Sequence, residues 1–144
     1  MSTTPVILNF ELSLCDKNGP YTETIPAQHG VYYVVAKNTE NKLRTLYIGR
    51  AENLKDRLSD HEKYPDFVNA LKHDEELEIH TATVDSDKFK RVEAALIYKL
   101  QPPLNSDLRQ AFEYQDTTIV TTESGSLFLF KNEPFTVPRR PLKL

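Results

Sequence analysis

The order of patterns along the chain predicts a mixed α/β (α+β) protein, a small antiparallel sheet with helices packed on it. Three observations carry this. Two β-branched and aromatic runs, VYYVVA at 31–36 and LRTLYIG at 43–49, flank the polar turn KNTENK, which is the pattern of a β-hairpin. After Gly49 the apolar spacing changes from period two to helical. A later helical stretch, 87–101, runs into Pro102-Pro103, and proline cannot continue it because it lacks an N–H and clashes with the preceding turn.

The elements follow in order. Residues 5–14, PVILNFELSL, alternate apolar and polar positions loosely and read as a strand. The next stretch, CDKNGPYTETIPAQHG, is turn-rich, with Asn18-Gly19-Pro20 as its clearest breaker. Beyond the hairpin, Asn53 can cap a helix carrying Leu54, Arg57, Leu58 and His61 on neighbouring faces. Pro65 suits the first turn of a short second helix that groups Phe67, Val68 and Leu71. The acidic run HDEEL at 73–77 reads as a solvated helix end, and LEIHTATV at 77–84 as a strand. Ser86 or Asp87 can cap the helix that follows. TTIVTT and SLFLFKN flank Glu123-Ser124-Gly125 like a second hairpin, and two prolines in the final FTVPRRPLKL discourage regular structure.

Composition narrows the function classes. A length of 144 residues suggests one domain, and 39% hydrophobic with 27% charged residues fits a globular chain. No apolar stretch approaches a membrane span. The N-terminus MSTTPVILNFELS lacks the basic and apolar regions of a secretory signal, so a cytoplasmic protein is expected, with no membrane partner. One cysteine, Cys15, excludes a disulfide framework and any multi-thiolate metal site. A net charge of -3 excludes coating nucleic acid by bulk charge, so polyanion binding must use local patches. Residues 42–63 net +2 and residues 131–144 net +3.

Several residues break the pattern around them. In the 87–101 helix, Phe89, Val92, Leu96, Ile97 and Leu100 form one stripe, and Glu93 falls about 40° from Phe89, inside it. A carboxylate there needs a partner. On spacing alone it is either a Glu at the stripe's edge paired with Arg or Lys, or a ligand or catalytic group. Arg57 and His61, four apart, can converge on one anion, or can pair with Asp56, Asp60 and Glu62. Tyr32, Tyr33 and Tyr47 suit sheet packing, and Gly30 and Gly49 bracket the paired runs, where a backbone or ligand can approach closely. His73 and His80, seven apart with no spaced metal motif, read as solvated. No GxGxxG, Walker or GxSxG pattern is present.

Read together, residues 30–105 resemble the GIY-YIG endonuclease domain. Gly30-Val31-Tyr32 stands for the first motif and Tyr47-Ile48-Gly49 for the second. Arg50, Arg57, His61, Glu93 and Asn105 follow at the family's positions and order. The resemblance implies a three-stranded antiparallel central sheet flanked by helices, here with an extra N-terminal strand and a C-terminal hairpin. It places a nuclease core at 25–106 and an extension at 107–144 within a single domain, 1–144.

The implied chemistry is metal-dependent hydrolysis of DNA phosphodiesters by in-line water attack. Tyr32 is then the general base or its relay, with His61 a rival base. Tyr47 orients water or phosphate, Arg57 stabilises developing charge, and Glu93 holds Mg²⁺ or Mn²⁺. Gly49, Arg50, Lys55 and Asn105 are expected along the substrate. The alternative is an accessory nucleic-acid-binding protein of the same fold with little cleavage of its own. The C-terminal extension is a candidate surface for a protein partner or a homodimer, with SLFLF as a pairing strand.

Overall fold

A computed structural model of the chain describes residues 4–16, 19–20, 22–123 and 133–142. Its strands are β1 (Val6–Asp16), β2 (Gly19–Pro20), β3 (Gly30–Asn38), β4 (Leu43–Ala51), β5 (Glu75–Thr83), β6 (Thr117–Glu123) and β7 (Phe135–Val137). Its α-helices are α1 (Leu54–Ser59), α2 (Tyr64–Asn69) and α3 (Phe89–Leu100), with a 3-10 turn at Thr22–Thr24. The α+β class therefore stands.

The expected three-stranded antiparallel unit is β4-β3-β5, but it lies within a larger curled sheet of order β4-β3-β5-β1-β6-β7. The N-terminal strand β1 pairs antiparallel with β5 on one side and parallel with β6 on the other. Two-residue β2 folds back on the end of β1.

Every residue of VYYVVA is buried because β3 lies between β4 and β5 and both its faces are covered. Alternation of side chains across a strand then sends adjacent residues to different cores. Val31, Tyr33 and Val35 join Leu8, Phe10 and the apolar side of α3. Tyr32, Val34 and Ala36 join Leu54, Leu58, Tyr64 and Phe67 from the two short helices. A register shift at Val34/Val35 bends the β3–β4 pair.

Local signals placed several ends correctly. The Asn53 side chain accepts from the Asp56 N–H at 3.0 Å, and Pro65 sits in the first turn of α2. Helix α3 stops at Leu100. Gln101 turns left-handed at φ 50° and donates from its backbone to the Ile97 carbonyl, just ahead of the two prolines.

Other expectations need correction. Helix α3 begins at Phe89 without a Ser86 or Asp87 side-chain cap, because the Asp85 carbonyl already takes the Lys88 and Phe89 N–H groups. Residues 75–77 open strand β5 instead of ending a helix, with Glu75 held by Arg44 through two bonds of 2.6 and 3.2 Å. His80 is buried, not solvated, since β5 is an interior strand covered on both faces. Phe135–Val137 forms a strand despite the prolines on either side, pairing with β6 at the sheet edge, where proline is tolerated. The expected SLFLF strand lies outside the described residues.

Candidate active site

The two tyrosine motifs meet because β3 and β4 are paired with Tyr32 opposite Gly49. The Tyr32 phenol lies across Gly49. A Cβ at that position would collide with the Tyr32 ring and hydroxyl, so the glycine is a steric requirement. Gly30 is similarly pressed against the Ala82 carbonyl of β5. Tyr32 Oη then reaches His61 Nε2 at 2.7 Å, with the two rings at 85°.

His61 lies past the end of α1 instead of on it, which corrects the shared helical face expected for Arg57 and His61. The loop, not helical periodicity, brings it to Tyr32. Its Nδ1 accepts the Lys63 backbone N–H at 3.1 Å. A neutral imidazole that accepts at Nδ1 carries its proton on Nε2, so His61 donates to the Tyr32 oxygen. Tyr47 completes the cluster, its ring 5.7 Å from His61 and 6.3 Å from Tyr32.

Beside this cluster lies a cavity of about 610 Å³, lined by Tyr47, Arg50, Lys63, Glu93, Asn105 and Asp107 among others. Glu93 is mostly covered and pairs with Arg50 at 3.2 Å. Arg50 lies over the Phe89 ring. The carboxylate in the apolar stripe of α3 thus has both an arginine partner and a cavity to face. Asn105 spends its amide on Ile48, accepting from its N–H at 2.9 Å and donating to its carbonyl at 2.8 Å. It clamps the open edge of β4 and acts on the site by positioning the Tyr47-Ile48-Gly49 strand. Lys55 is exposed and not among the cavity-lining residues. Arg57 stands beside Tyr32, gripped by Glu62 through bonds of 2.6 and 3.0 Å.

Sequence reasoning missed Asp107 and the placement of Lys63. Asp107 follows the Asn105 clamp in a loop where Leu108 takes φ 69°, and no periodicity marks it. Lys63 was one of several basic residues in a mixed run, and only its position over the Tyr47 ring, at 5.7 Å, singles it out.

Burial sets the protonation of the cluster. Burial first, then Tyr47, pushes the Tyr32 phenol well above its usual range, with Arg57 opposing. Burial and the neighbouring Arg57 lower His61 to about 4, so its ring is neutral at pH 7. Tyr47 is also pushed up by burial and by Glu93. Burial raises Glu93, and Arg50 works against the rise.

Glu93 is a carboxylate of the cavity wall that could hold a hard cation. Among the described residues no cluster of three His, Cys, Asp or Glu side chains could enclose a metal. Glu93 instead offers a carboxylate at the wall of a polar cavity with room for water and phosphate oxygens. That is how magnesium is commonly held, through one or two carboxylates with the remaining positions on water and substrate.

No family profile matches the chain, and no solved structure matches it. It is 32% identical over 111 residues to UvrABC system protein C of Fervidobacterium nodosum, covering 76% of this chain and 19% of that protein. The chain thus spans about a fifth of that relative's length. The similarity lends weak support to a GIY-YIG-like, nuclease-related relationship. Among the described residues no helix is long and apolar enough to cross a membrane.

Proposed function

We propose that the chain is a metal-dependent endonuclease that hydrolyses DNA phosphodiesters by in-line attack of water. The observation that carries this reading is the Tyr32–His61 bond, with the proton placed on His61 Nε2. Both ring nitrogens of His61 are engaged, so it has no lone pair for a water, and the general base falls to Tyr32.

In its phenolate form Tyr32 takes a proton from the attacking water as the new P–O bond forms and the bond to the leaving oxygen breaks. The His61 N–H stays on the phenol oxygen and stabilises the phenolate. Tyr47 orients the phosphate side of the cavity, and Arg57 and Arg50 stand to stabilise charge on the non-bridging oxygens. Glu93 would hold Mg²⁺ or Mn²⁺, which supplies charge stabilisation at the phosphate and leaving oxygen.

The accessory-binder reading keeps one specific support. The buried Tyr32 phenol resists ionisation as the site stands, and a site that never forms the phenolate would bind without cutting.

The test is cleavage of supercoiled plasmid and of branched or flapped oligonucleotides with Mg²⁺, Mn²⁺ or EDTA, comparing wild type with Glu93→Ala and Tyr32→Phe. Metal-dependent cutting lost in both variants is the expected result. Equal inactivity of all three proteins on every substrate, with DNA binding intact in the wild type, would sink the nuclease reading.

A further inference from the structure

Both guanidiniums of the site are held by the protein's own carboxylates, and the two pairs differ in kind. Arg50 meets Glu93 through one contact of 3.2 Å, and the Glu93 side chain is 16% exposed. Arg57 meets Glu62 through two, Nη1 to Oε2 at 2.6 Å and Nη2 to Oε1 at 3.0 Å, and the Glu62 side chain is 69% exposed. The second is a fork-on-fork arrangement, two parallel N–H groups on two oxygens of one anion. A guanidinium grips phosphate in the same way.

Glu62 also stands between the two residues that tie this loop to the site. His61 on one side bonds Tyr32, and Lys63 on the other lines the cavity. An anion that binds the Arg57 fork must take the place the Glu62 carboxylate holds. An ion pair this exposed is weakly held, because water competes for both partners.

We infer that Glu62 is an internal stand-in for the substrate phosphodiester, occupying the Arg57 fork in the free protein and displaced when a nucleic-acid backbone binds. The inference rests on reading the site as one for phosphodiesters. Glu62 then sets the affinity of the site. A backbone phosphate must win the fork from a tethered carboxylate, so weak or isolated anions are excluded and a polyanion held at several points is admitted.

The test is equilibrium binding of a fluorescein-labelled 20-base-pair duplex, followed by anisotropy at low salt in EDTA. It compares wild type, Glu62→Gln, Glu52→Gln, Arg57→Gln and the Glu62→Gln/Arg57→Gln double variant. Glu52 is an exposed carboxylate on the β4–α1 turn and controls for the loss of one negative charge. Glu62→Gln is expected to bind about tenfold tighter, against less than about threefold for Glu52→Gln. With Arg57 already replaced, Glu62→Gln should give no more than the Glu52 change, since the fork it would free is gone. Melting curves for each variant establish that it is folded, and Glu62→Ala serves as a second replacement.

If Glu62→Gln weakens binding, or tightens it no more than Glu52→Gln does, the inference is overturned and Glu62 simply braces Arg57. The absence of measurable binding in both wild type and Glu62→Gln overturns it too. The parent reading fails separately. A protein that shows the Glu62–Arg57 coupling but never cuts with Mg²⁺ or Mn²⁺ loses the nuclease assignment, and one that cuts without the coupling loses only this inference.

Discussion

Tyr32 and Tyr33 are neighbours in sequence, lie on opposite faces of β3, and each meets a histidine. Tyr32 touches His61 edge-on at 85° with a 2.7 Å bond between hydroxyl and ring nitrogen. Tyr33 lies flat on His80, rings 4.5 Å apart and 7° from parallel. His80 Nε2 is 3.5 Å from Glu78, itself bonded to Lys37, and the pair packs against Phe10 inside the larger core. The same two residue types therefore make a hydrogen-bonded pair beside a polar cavity on one face and a stacked core pair on the other. What differs is the neighbour: a loop past α1 delivers His61 toward Tyr32, whereas the interior strand β5 delivers His80 in register with Tyr33. Residue identity supplies the chemistry, and the sheet face decides whether it can be used.

The sharpest way to break this comparison is the matched pair Tyr32→Phe and Tyr33→Phe. Removing the Tyr32 hydroxyl should lower the metal-dependent cleavage rate about a thousandfold, as for loss of a general base. Removing the Tyr33 hydroxyl should leave cleavage unchanged and cost under about 1 kcal/mol in urea unfolding. Equal losses of activity would erase the distinction between the faces.

A smaller but still large effect is expected at the clamp on β4. Asn105→Ala leaves a buried N–H and a buried carbonyl of Ile48 without their partners, so unfolding free energy should fall by about 3 kcal/mol. A loss below about 1 kcal/mol would mean that the edge of β4 is held by something else.

Acid titration tests the histidine side. His61 binds protons less readily folded, at about 4, than at its ordinary 6.5. As pH falls below about 6.5 the unfolded chain takes up the proton first. The stabilisation is therefore complete above about 6.5 and lost progressively down to about 4, by about 3 kcal/mol at most. His61→Gln should flatten that part of the stability–pH curve, measured by urea unfolding between pH 7 and 4. An unchanged curve would show that His61 is not held neutral by burial.

A smaller loss of stability than at Asn105 is expected at Gly49. Gly49→Ala places a methyl where the Tyr32 ring lies, and displacing the ring should cost about 2 kcal/mol, read from a shift in the urea midpoint. If stability holds and cleavage survives, the ring does not need that site.

The legible features were those set by neighbours in sequence. The hairpin followed from its β-branched runs, the start of α1 from Asn53, and the end of α3 from Pro102-Pro103. The motif residues also stood at recognisable spacings. Tyr32, Tyr47 and Arg50 share one hairpin whose register sets their spacing, and the packing of α3 on the sheet brings Glu93 to them. The hidden features depend on which strands pair. The insertion of β1 between β5 and β6, the burial of His80 and the Asn105 grip on Ile48 join residues far apart in the chain. The separation of 57 positions from Ile48 to Asn105 leaves no periodic trace.

By itself, then, the chain's order of residues determined its local elements and the inventory of groups available for chemistry, since turn chemistry, capping and side-chain period act within a few residues. The Glu62–Arg57 pair, five positions apart, was among those the sequence offered; tertiary structure alone decided which tyrosine has a histidine donor and that Glu93 pairs with Arg50. Those outcomes depend on burial and on distances of a few ångströms between distant segments. Hydrogen bonds and ion pairs draw their strength from that proximity, and a linear sequence does not specify it.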